Sequence, residues 1–227
     1  MSSYTSFRLV AEAQNVEGES LKKLVVTIGQ VSDTGKTLKV DSAAGVSRVR
    51  IGEEDLIVKR YTARSVWHRV KRALRQSRAR NAWRASVTFA DAGIRVPEPV
   101  LYWENRFGPL RFDSFFVYRA IDGEILLESL PTLLGEQRAD VVRQLGALFS
   151  ALRSQRLVHG DMKATNLMLV DGRVTIFDLD VAGKRTCLFG QGHRRDQKRF
   201  LKNWADNEQL IRELAKQIAG AVELSGH

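Results

Sequence analysis

Cysteine and long apolar runs are scarce in this chain of 227 residues, and each scarcity excludes a class of protein. The one cysteine, Cys187, cannot form a disulfide within the chain, which fits a reducing compartment. The first twenty residues lack the apolar core of a secretion signal, and no hydrophobic run reaches the length of a membrane span. We therefore expect a cytoplasmic protein.

Acidic residues are missing from one long stretch. Between Lys59 and Arg84 the chain has ten Lys or Arg residues and no Asp or Glu, and its formal net charge is +10. A second basic stretch, residues 184–202, contains seven Lys or Arg residues opposed only by Asp196. Solvated helix faces also carry such charge, but an acid-free stretch of this length favours a surface for an anionic partner. Nucleic acid, an acidic membrane surface and a phosphorylated glycolipid all meet that description.

The residues that carry chemistry are concentrated between positions 159 and 180. In chain order they are His159, Gly160, Asp161, Lys163, Asn166, Asp178 and Asp180. This order is the catalytic layout of the protein-kinase-like phosphotransferases. Asp161 is predicted to orient and deprotonate an attacking hydroxyl, while Asn166 and Asp178 bind the Mg²⁺ ions that bridge the ATP phosphates. A nucleic-acid-binding protein has no need of these ordered residues, so we expect no nucleic acid partner.

A predicted hairpin explains the spacing between the two metal ligands. Two apolar runs, 167–170 and 173–177, are separated by Asp171-Gly172, which is a strong signal for a tight hairpin turn. The hairpin returns the chain, so Asn166 before it and Asp178 after it are expected to lie close together.

The other residues of this segment have narrower expected roles. His159 is interpreted as a residue that fixes the catalytic loop by packing and hydrogen bonding, and Asp161 is the better candidate for the base. Lys163 is expected to reach the transferring γ-phosphate and offset its charge. For Asp180 two roles stay open, a further metal ligand or a cap of the following turn.

The amino-terminal part predicts a three-stranded antiparallel meander over 37–61. Lys59 lies on its third strand, where a kinase-like protein holds the lysine that pairs with the α- and β-phosphates. The loop 41–47, which contains Gly45, is expected to cover the phosphates with its backbone N–H groups. The glutamate that normally clamps the strand lysine is absent, since no acid occurs between Asp55 and Asp91. Two alternatives follow: Lys59 pairs with Asp178, or the site is assembled only with ligand.

The remaining pattern completes an α+β fold, a compact bilobal protein-kinase-like fold with an antiparallel-sheet N-lobe and a mainly helical C-lobe. We expect lobes over 1–120 and 121–227, joined by a hinge near 118–120 where Tyr118 contacts the nucleotide. Strands are predicted around 100–104 and 112–119. Helices are predicted over 17–29, 63–92, 126–130, 136–155, 193–206 and 208–223.

Two features argue against a protein substrate. Gly160 replaces the arginine with which regulated protein kinases read a phosphorylated activation segment. No Ala-Pro-Glu motif follows Asp180, and no proline occurs after Pro131.

Taken together, these motifs resemble the lipopolysaccharide kinase family, the Kdo and core-heptose kinases of Gram-negative bacteria. The resemblance covers roughly residues 35–205 and is carried by Lys59, the basic segment 77–84, the segment 93–99, the loop 159–166 and the segment 176–180. It implies transfer of the γ-phosphoryl group of ATP to an inner-core sugar hydroxyl, at the cytoplasmic face of the inner membrane. Members commonly carry an acid where Ala82 stands.

We therefore interpret the chain as an ATP- and Mg²⁺-dependent kinase of the lipopolysaccharide core or a lipid A-core glycolipid. The basic segments 59–84 and 184–202 are expected to contact the anionic inner membrane peripherally. Two alternatives stay open: a small-molecule kinase of the aminoglycoside type, and a pseudokinase that regulates without turnover.

Overall fold

The structure is a computed structural model that describes residues 7–13, 23–30, 36–41, 44–62, 76–107, 110–187 and 189–220. Its chain divides into two compact units. The first unit comprises residues 1–84 and 98–120, and the second comprises residues 85–97 and 121–227. No helix within the described ranges is long and apolar enough to cross a bilayer.

The first unit is built on a six-stranded antiparallel sheet in the order β1-β5-β6-β4-β3-β2. Its strands are β1 Phe7–Ala13, β2 Lys36–Asp41, β3 Ala44–Ile51, β4 Glu54–Tyr61, β5 Pro99–Phe107 and β6 Leu110–Arg119. Residues 23–30 form helix α1, and its buried Val25 and Ile28 belong to the same apolar core as Leu56, Val58 and Val117. The rings of Trp103 and Phe115 stack with centroids 4.3 Å apart, which adds to this core.

The predicted meander is confirmed, but the loop between its first two strands is shorter than expected and the sheet contains a further strand, β1. Strand β2 pairs with β3 and β3 with β4, both antiparallel. The loop expected over 41–47 is wrong in extent, because β3 begins at Ala44 and Gly45 pairs with Arg60 within the sheet. Strand β1 was not predicted; it pairs along its whole length with β5.

The helix expected over 63–92 is shorter where the structure describes it. Residues 63–75 lie outside the described residues, and helix α2 is Arg78–Asp91. Ser77 ends the non-helical segment, because its hydroxyl accepts a hydrogen bond from the backbone N–H of Arg80 at 2.9 Å. This is the geometry of an N-cap, and α2 begins directly after Ser77.

The second unit is mainly helical and carries two small sheets. Its helices are the end of α2, α3 Leu126–Ser129, α4 Gly135–Ser154, α5 Phe189–Leu201 and α6 Glu208–Gly220. Strands β7 Glu124–Ile125, β9 Leu167–Val170 and β10 Arg173–Ile176 form one sheet, and β8 Leu157–Val158 pairs with β11 Gly183–Lys184. Its core includes Phe89, Ile94, Leu145, Phe149, Met162 and Phe200.

The division of the chain differs from a single boundary at residue 120. Residues 85–97, expected in the first lobe, cluster with the second unit. The reason is packing, since Phe89 and Ile94 lie in the apolar core of the second unit. A backbone hydrogen bond also ties this segment to the second unit, since the N–H of Ile176 donates to the carbonyl of Arg95 at 2.9 Å.

Candidate active site

The catalytic loop begins where strand β8 ends, and a buried carboxylate holds its backbone. Asp196 of helix α5 is 2% exposed. It accepts a hydrogen bond from the N–H of His159 at 2.7 Å, and the N–H of Gly160 lies 3.1 Å from each of its oxygens. Such charge-assisted bonds are about twice as strong as neutral ones. The loop is therefore tied to α5 immediately before Asp161.

Gly160 is required by its conformation and by its surroundings. Its φ is +81°, a region that residues with a Cβ rarely adopt. A Cβ at this position would lie 3.1 Å from Cγ2 of Val181 and 3.2 Å from its carbonyl oxygen. The absence of an arginine here, noted in the sequence, thus has a steric reason in this fold.

His159 is fully buried and connects the loop to the segment before Asp178. Its Nε2 lies 3.0 Å from the carbonyl oxygen of Phe177, and its Nδ1 lies 3.2 Å from the backbone N of Asp161. A neutral ring that donates from Nε2 and accepts at Nδ1 satisfies both contacts. Burial lowers the pKa of His159 below its ordinary value, which favours that neutral form. These contacts orient other residues of the site.

Asp161 lies between two cations. Its Oδ2 accepts from Nζ of Lys163 at 3.1 Å, and its Oδ1 accepts from Nη1 of Arg199 at 2.5 Å. The Asp161 side chain retains 30% of its exposure, so solvent and ligand can reach it. A partly exposed carboxylate at the end of a rigidly held loop is suited to accept a proton from a bound hydroxyl.

Asn166 links Asp161 to the hairpin that ends at Asp178. Its Nδ2 donates to the carbonyl oxygen of Asp161 at 2.9 Å, and its own carbonyl accepts from the N–H of Phe177 at 3.0 Å. The predicted hairpin is confirmed: β9 and β10 pair antiparallel, with Leu167 opposite Ile176. Asp171 and Gly172 have φ of +50° and +71°, as a tight hairpin turn requires.

Asp178 has a left-handed backbone, with φ of +63°. This conformation is uncommon for residues other than glycine, and such strain is concentrated at functional sites. Because Phe177 is bonded to both His159 and Asn166, the position of Asp178 is set by the catalytic loop.

The donor set fits Mg²⁺. The amide nitrogen of Asn166 is used by Asp161, so its Oδ1 is the atom suited to a metal ion. The Asp178 carboxylate would be a second hard oxygen ligand, and Mg²⁺ typically takes only one or two carboxylates besides phosphate and water. The described residues contain no group of three or more His, Cys, Asp and Glu side chains that could hold a metal ion by themselves.

The three remaining predicted residues belong to the first unit. Lys59 lies on β4, is 9% exposed, and stands opposite Val46 and Phe116 in the sheet. Tyr118 lies on β6, half-buried, with its ring tilted against that of Phe116 at 5.4 Å. Gly45 lies in β3 and not in a loop. The roles of these three residues in nucleotide binding stay predictions.

Two residues of the site were not predicted as such. Asp196 and Arg199 were interpreted only as parts of the basic stretch 184–202, yet Asp196 is buried and Arg199 contacts Asp161. The sequence contains one signal for Asp196, since it is the only acid among seven basic residues. A single acid in such a stretch favours a specific partner, which here is the backbone of the loop.

Comparisons with known proteins identify the family and the fold of the chain. The sequence pattern of the lipopolysaccharide kinase (Kdo/WaaP) family matches residues 36–218. A solved structure, WaaP in complex with acyl carrier protein, has a TM-score of 0.57 and 20% sequence identity, covering 96% of this chain and 95% of that one. At this identity the likeness demonstrates the fold, which is thus the α+β, kinase-like fold predicted from the sequence.

A shorter match is found to the KEOPS complex subunit Bud32 of Pyrococcus abyssi, with 32% identity over 80 residues. The match covers 35% of this chain and spans about a third of that relative, 36% of its length. The family pattern, in contrast, spans most of the described chain, including both units and every predicted site residue. The chain therefore belongs to the lipopolysaccharide kinase (Kdo/WaaP) family.

Proposed function

We propose that this protein is a kinase that transfers the γ-phosphoryl group of ATP to a sugar hydroxyl, heptose or Kdo, of the lipopolysaccharide inner core. The observation that carries the proposal is the bonding of Asn166. Its side chain binds Asp161 at 2.9 Å, and its backbone binds Phe177, the residue before Asp178, at 3.0 Å. These bonds support the proposal, because they connect the proposed base Asp161 with the segments that carry the proposed metal ligands Asn166 and Asp178, as phosphoryl transfer requires.

In the proposed reaction the acceptor hydroxyl oxygen forms a bond to the γ-phosphorus, and the bond from that phosphorus to the bridging oxygen of ADP breaks. The hydroxyl proton passes to the Asp161 carboxylate. Lys163, which contacts Asp161 in this structure, turns to the γ-phosphate and offsets its charge. Lys59 binds the α- and β-phosphates, and Tyr118 contacts the nucleotide.

Asn166 and Asp178 would hold Mg²⁺, which when bound would supply positive charge to offset that of the ATP phosphate oxygens. The chain's contribution is to fix these two oxygen ligands relative to Asp161. His159 does this through Phe177, and Asn166 does it directly.

The exposed basic residues support an anionic acceptor. On helix α5 and the turn that follows, Arg194, Arg195, Lys198 and Lys202 are exposed. Inner-core sugars that carry carboxylates or phosphates, and the anionic surface of the inner membrane, both complement such a face. We propose that the protein works at the cytoplasmic face of that membrane, bound peripherally.

The test is an ADP-release assay with dephosphorylated lipopolysaccharide core as the acceptor. We expect ADP release to be stimulated by this acceptor in the wild type and to be abolished in Asp161→Asn. Asp206→Asn, which changes an exposed carboxylate between α5 and α6, is the matched control and should retain full activity. If the core acceptor gives no stimulation above background, the proposal is wrong.

The same assay separates the alternatives. Helix α2 carries no acid before Asp91, which is the feature that favours a pseudokinase. A pseudokinase should show a thermal shift with nucleotide and no ADP release with any acceptor. A kinase of the aminoglycoside type should act on soluble sugars or aminocyclitols without a membrane fraction.

A further inference from the structure

Arg199 is placed differently from the other cations of helix α5. Its Nη1 donates to the carbonyl oxygen of Gly160 at 3.0 Å and to Oδ1 of Asp161 at 2.5 Å. One nitrogen thus uses its two hydrogens on two consecutive residues of the loop. The neighbouring Lys198 is exposed, and Arg199 itself retains 49% of its side-chain exposure.

Three residues of helix α5, spaced along one face, contact strand β8 and the loop that follows it. Gly192 packs on β8 so closely that a Cβ there would lie 3.0 Å from Cγ2 of Val158. One turn later Asp196 accepts from the N–H groups of His159 and Gly160. Arg199, three residues further on, donates to the next carbonyl and carboxylate. On one face of α5, therefore, Asp196 binds N–H groups of the loop backbone and Arg199 binds a carbonyl group of the same short segment.

The two oxygens of Asp161 have different partners. Oδ1 is bound by Arg199, which is anchored on a helix, and Oδ2 is bound by Lys163, which lies on the loop itself. The Arg199 side chain is held more firmly than that of Lys163, because Arg199 also donates a hydrogen bond to the Gly160 carbonyl. When Lys163 turns to the γ-phosphate, Oδ2 becomes the oxygen that can accept a proton.

We propose that Arg199 is the positioning residue of the catalytic base: it holds Oδ1 of Asp161 and the Gly160 carbonyl, so that Oδ2 faces the acceptor hydroxyl. This inference rests on the phosphoryl transfer proposed above. Oδ2 receives the hydroxyl proton as the new oxygen–phosphorus bond forms and the bond to the ADP oxygen breaks. Arg199 exchanges no proton and contacts neither substrate.

The test compares Arg199→Gln, Arg199→Lys and Arg212→Gln. Arg212 is the matched control, because it lies on α6 and also pairs with a carboxylate, Glu208, at 2.9 Å. We expect Arg199→Gln to lower kcat by about 10²-fold, the cost of misplacing a reacting group by roughly 1 Å. The KM values for ATP and acceptor and the Tm should stay near those of the wild type. Arg199→Lys should recover part of the lost kcat.

The proposal is overturned if the substitution of Arg199 changes the KM for the acceptor and not kcat, or if it changes neither. If Arg199→Gln raises the KM for the acceptor and leaves kcat unchanged, Arg199 binds the acceptor and does not position Asp161. If kcat equals that of Arg212→Gln, the contact has no role in transfer.

A second measurement separates this inference from the proposed function. Should the wild type fail to phosphorylate lipopolysaccharide core, the proposed function fails, and hydrogen exchange of the 158–167 segment decides about Arg199. Faster exchange in Arg199→Gln than in Arg212→Gln supports the role of Arg199 in holding the loop. Equal exchange in the two variants overturns it.

Discussion

Lys59 in the first unit and Asp161 in the second are held in position by different forces. Lys59 lies within β4, whose neighbours β3 and β6 pair with it on both sides. Asp161 lies on a loop, and the loop is fixed by the side chains of Asp196, Arg199 and Asn166. The first arrangement depends on backbone pairing and apolar burial, whereas the second depends on a few charged or polar groups.

The difference indicates how each part responds to substitution. Strand β4 is paired through its backbone on both sides, so a side chain on it can change without removing the hydrogen bonds that hold the strand. The loop depends on a few side-chain hydrogen bonds, and loss of the buried Asp196 carboxylate would leave the N–H groups of His159 and Gly160 without their acceptor. We therefore expect changes at Lys59 to affect function more than stability, and loss of the buried Asp196 carboxylate to affect stability as well.

Among the variants that compare the two units, the largest effect is expected for Asp178→Asn. This change removes a charged oxygen ligand while keeping a residue that tolerates a positive φ, so the fold should be retained. We expect kcat to fall by about 10²–10³-fold and the Mg²⁺ requirement to rise. Asp171→Asn is the matched control, because Asp171 also has a positive φ and lies exposed in the hairpin turn. Equal activity of the two variants would contradict the metal role.

Lys59→Gln tests the first unit, with a smaller expected effect. We expect kcat/KM for ATP to fall by about 10²-fold, because one preorganised phosphate contact is lost. The Tm should change little, since β4 keeps its pairing with β3 and β6. Arg60→Gln, on the same strand but exposed, is the control and should bind ATP normally. A large fall in Tm for Lys59→Gln would remove the contrast between the two units.

Asp196→Asn tests the support of the loop. Asparagine retains the shape but loses the charge that binds the N–H groups of His159 and Gly160. We expect the free energy of unfolding to fall by about 2 kcal/mol, measured by urea denaturation. Asp206→Asn, which changes an exposed carboxylate, should leave it within error of the wild type. An unchanged value for Asp196→Asn would indicate that the loop does not need this anchor.

The smallest effect is expected from pH. Burial, and then the charge of Arg153, lower the pKa of His193 on α5 below its ordinary value of 6.5. The unfolded chain takes up a proton near pH 6.5 and the folded chain does not, so stability is complete above that pH and falls as the pH decreases below it. His193→Gln should therefore lessen the loss of stability between about pH 7 and pH 5. A loss as steep as in the wild type would show that His193 does not contribute.

The sequence predicted the segments whose signal is local. The meander that contains Lys59 follows from alternation and turn residues, and the hairpin before Asp178 follows from Asp171-Gly172. The family was also predicted correctly, since its motifs are short and ordered. The loop over 41–47 was wrong in extent, because small residues there join a strand when a neighbouring strand is available for pairing.

The long-range contacts could not be predicted in this way. Strand β1 pairs with β5, which lies far later in the chain, and neither segment signals the other. The same holds for residues 85–97, which are assigned to the second unit by the packing of Phe89 and Ile94. Register and packing of distant segments depend on tertiary contacts that local patterns do not encode.

By itself, the sequence determined the types of residue that phosphoryl transfer needs and the order in which they occur. Asp161, Asn166 and Asp178 could be predicted as a base and metal ligands because phosphoryl transfer requires residues of these kinds. Only the tertiary structure decided which other groups hold them. Asp196 and Arg199 lie in the same basic stretch, and no local pattern gives the partner of either. The fold buries Asp196 against the loop backbone and brings Arg199 to Asp161. Their roles differ because a charge acts through its distance and burial, which depend on three-dimensional position.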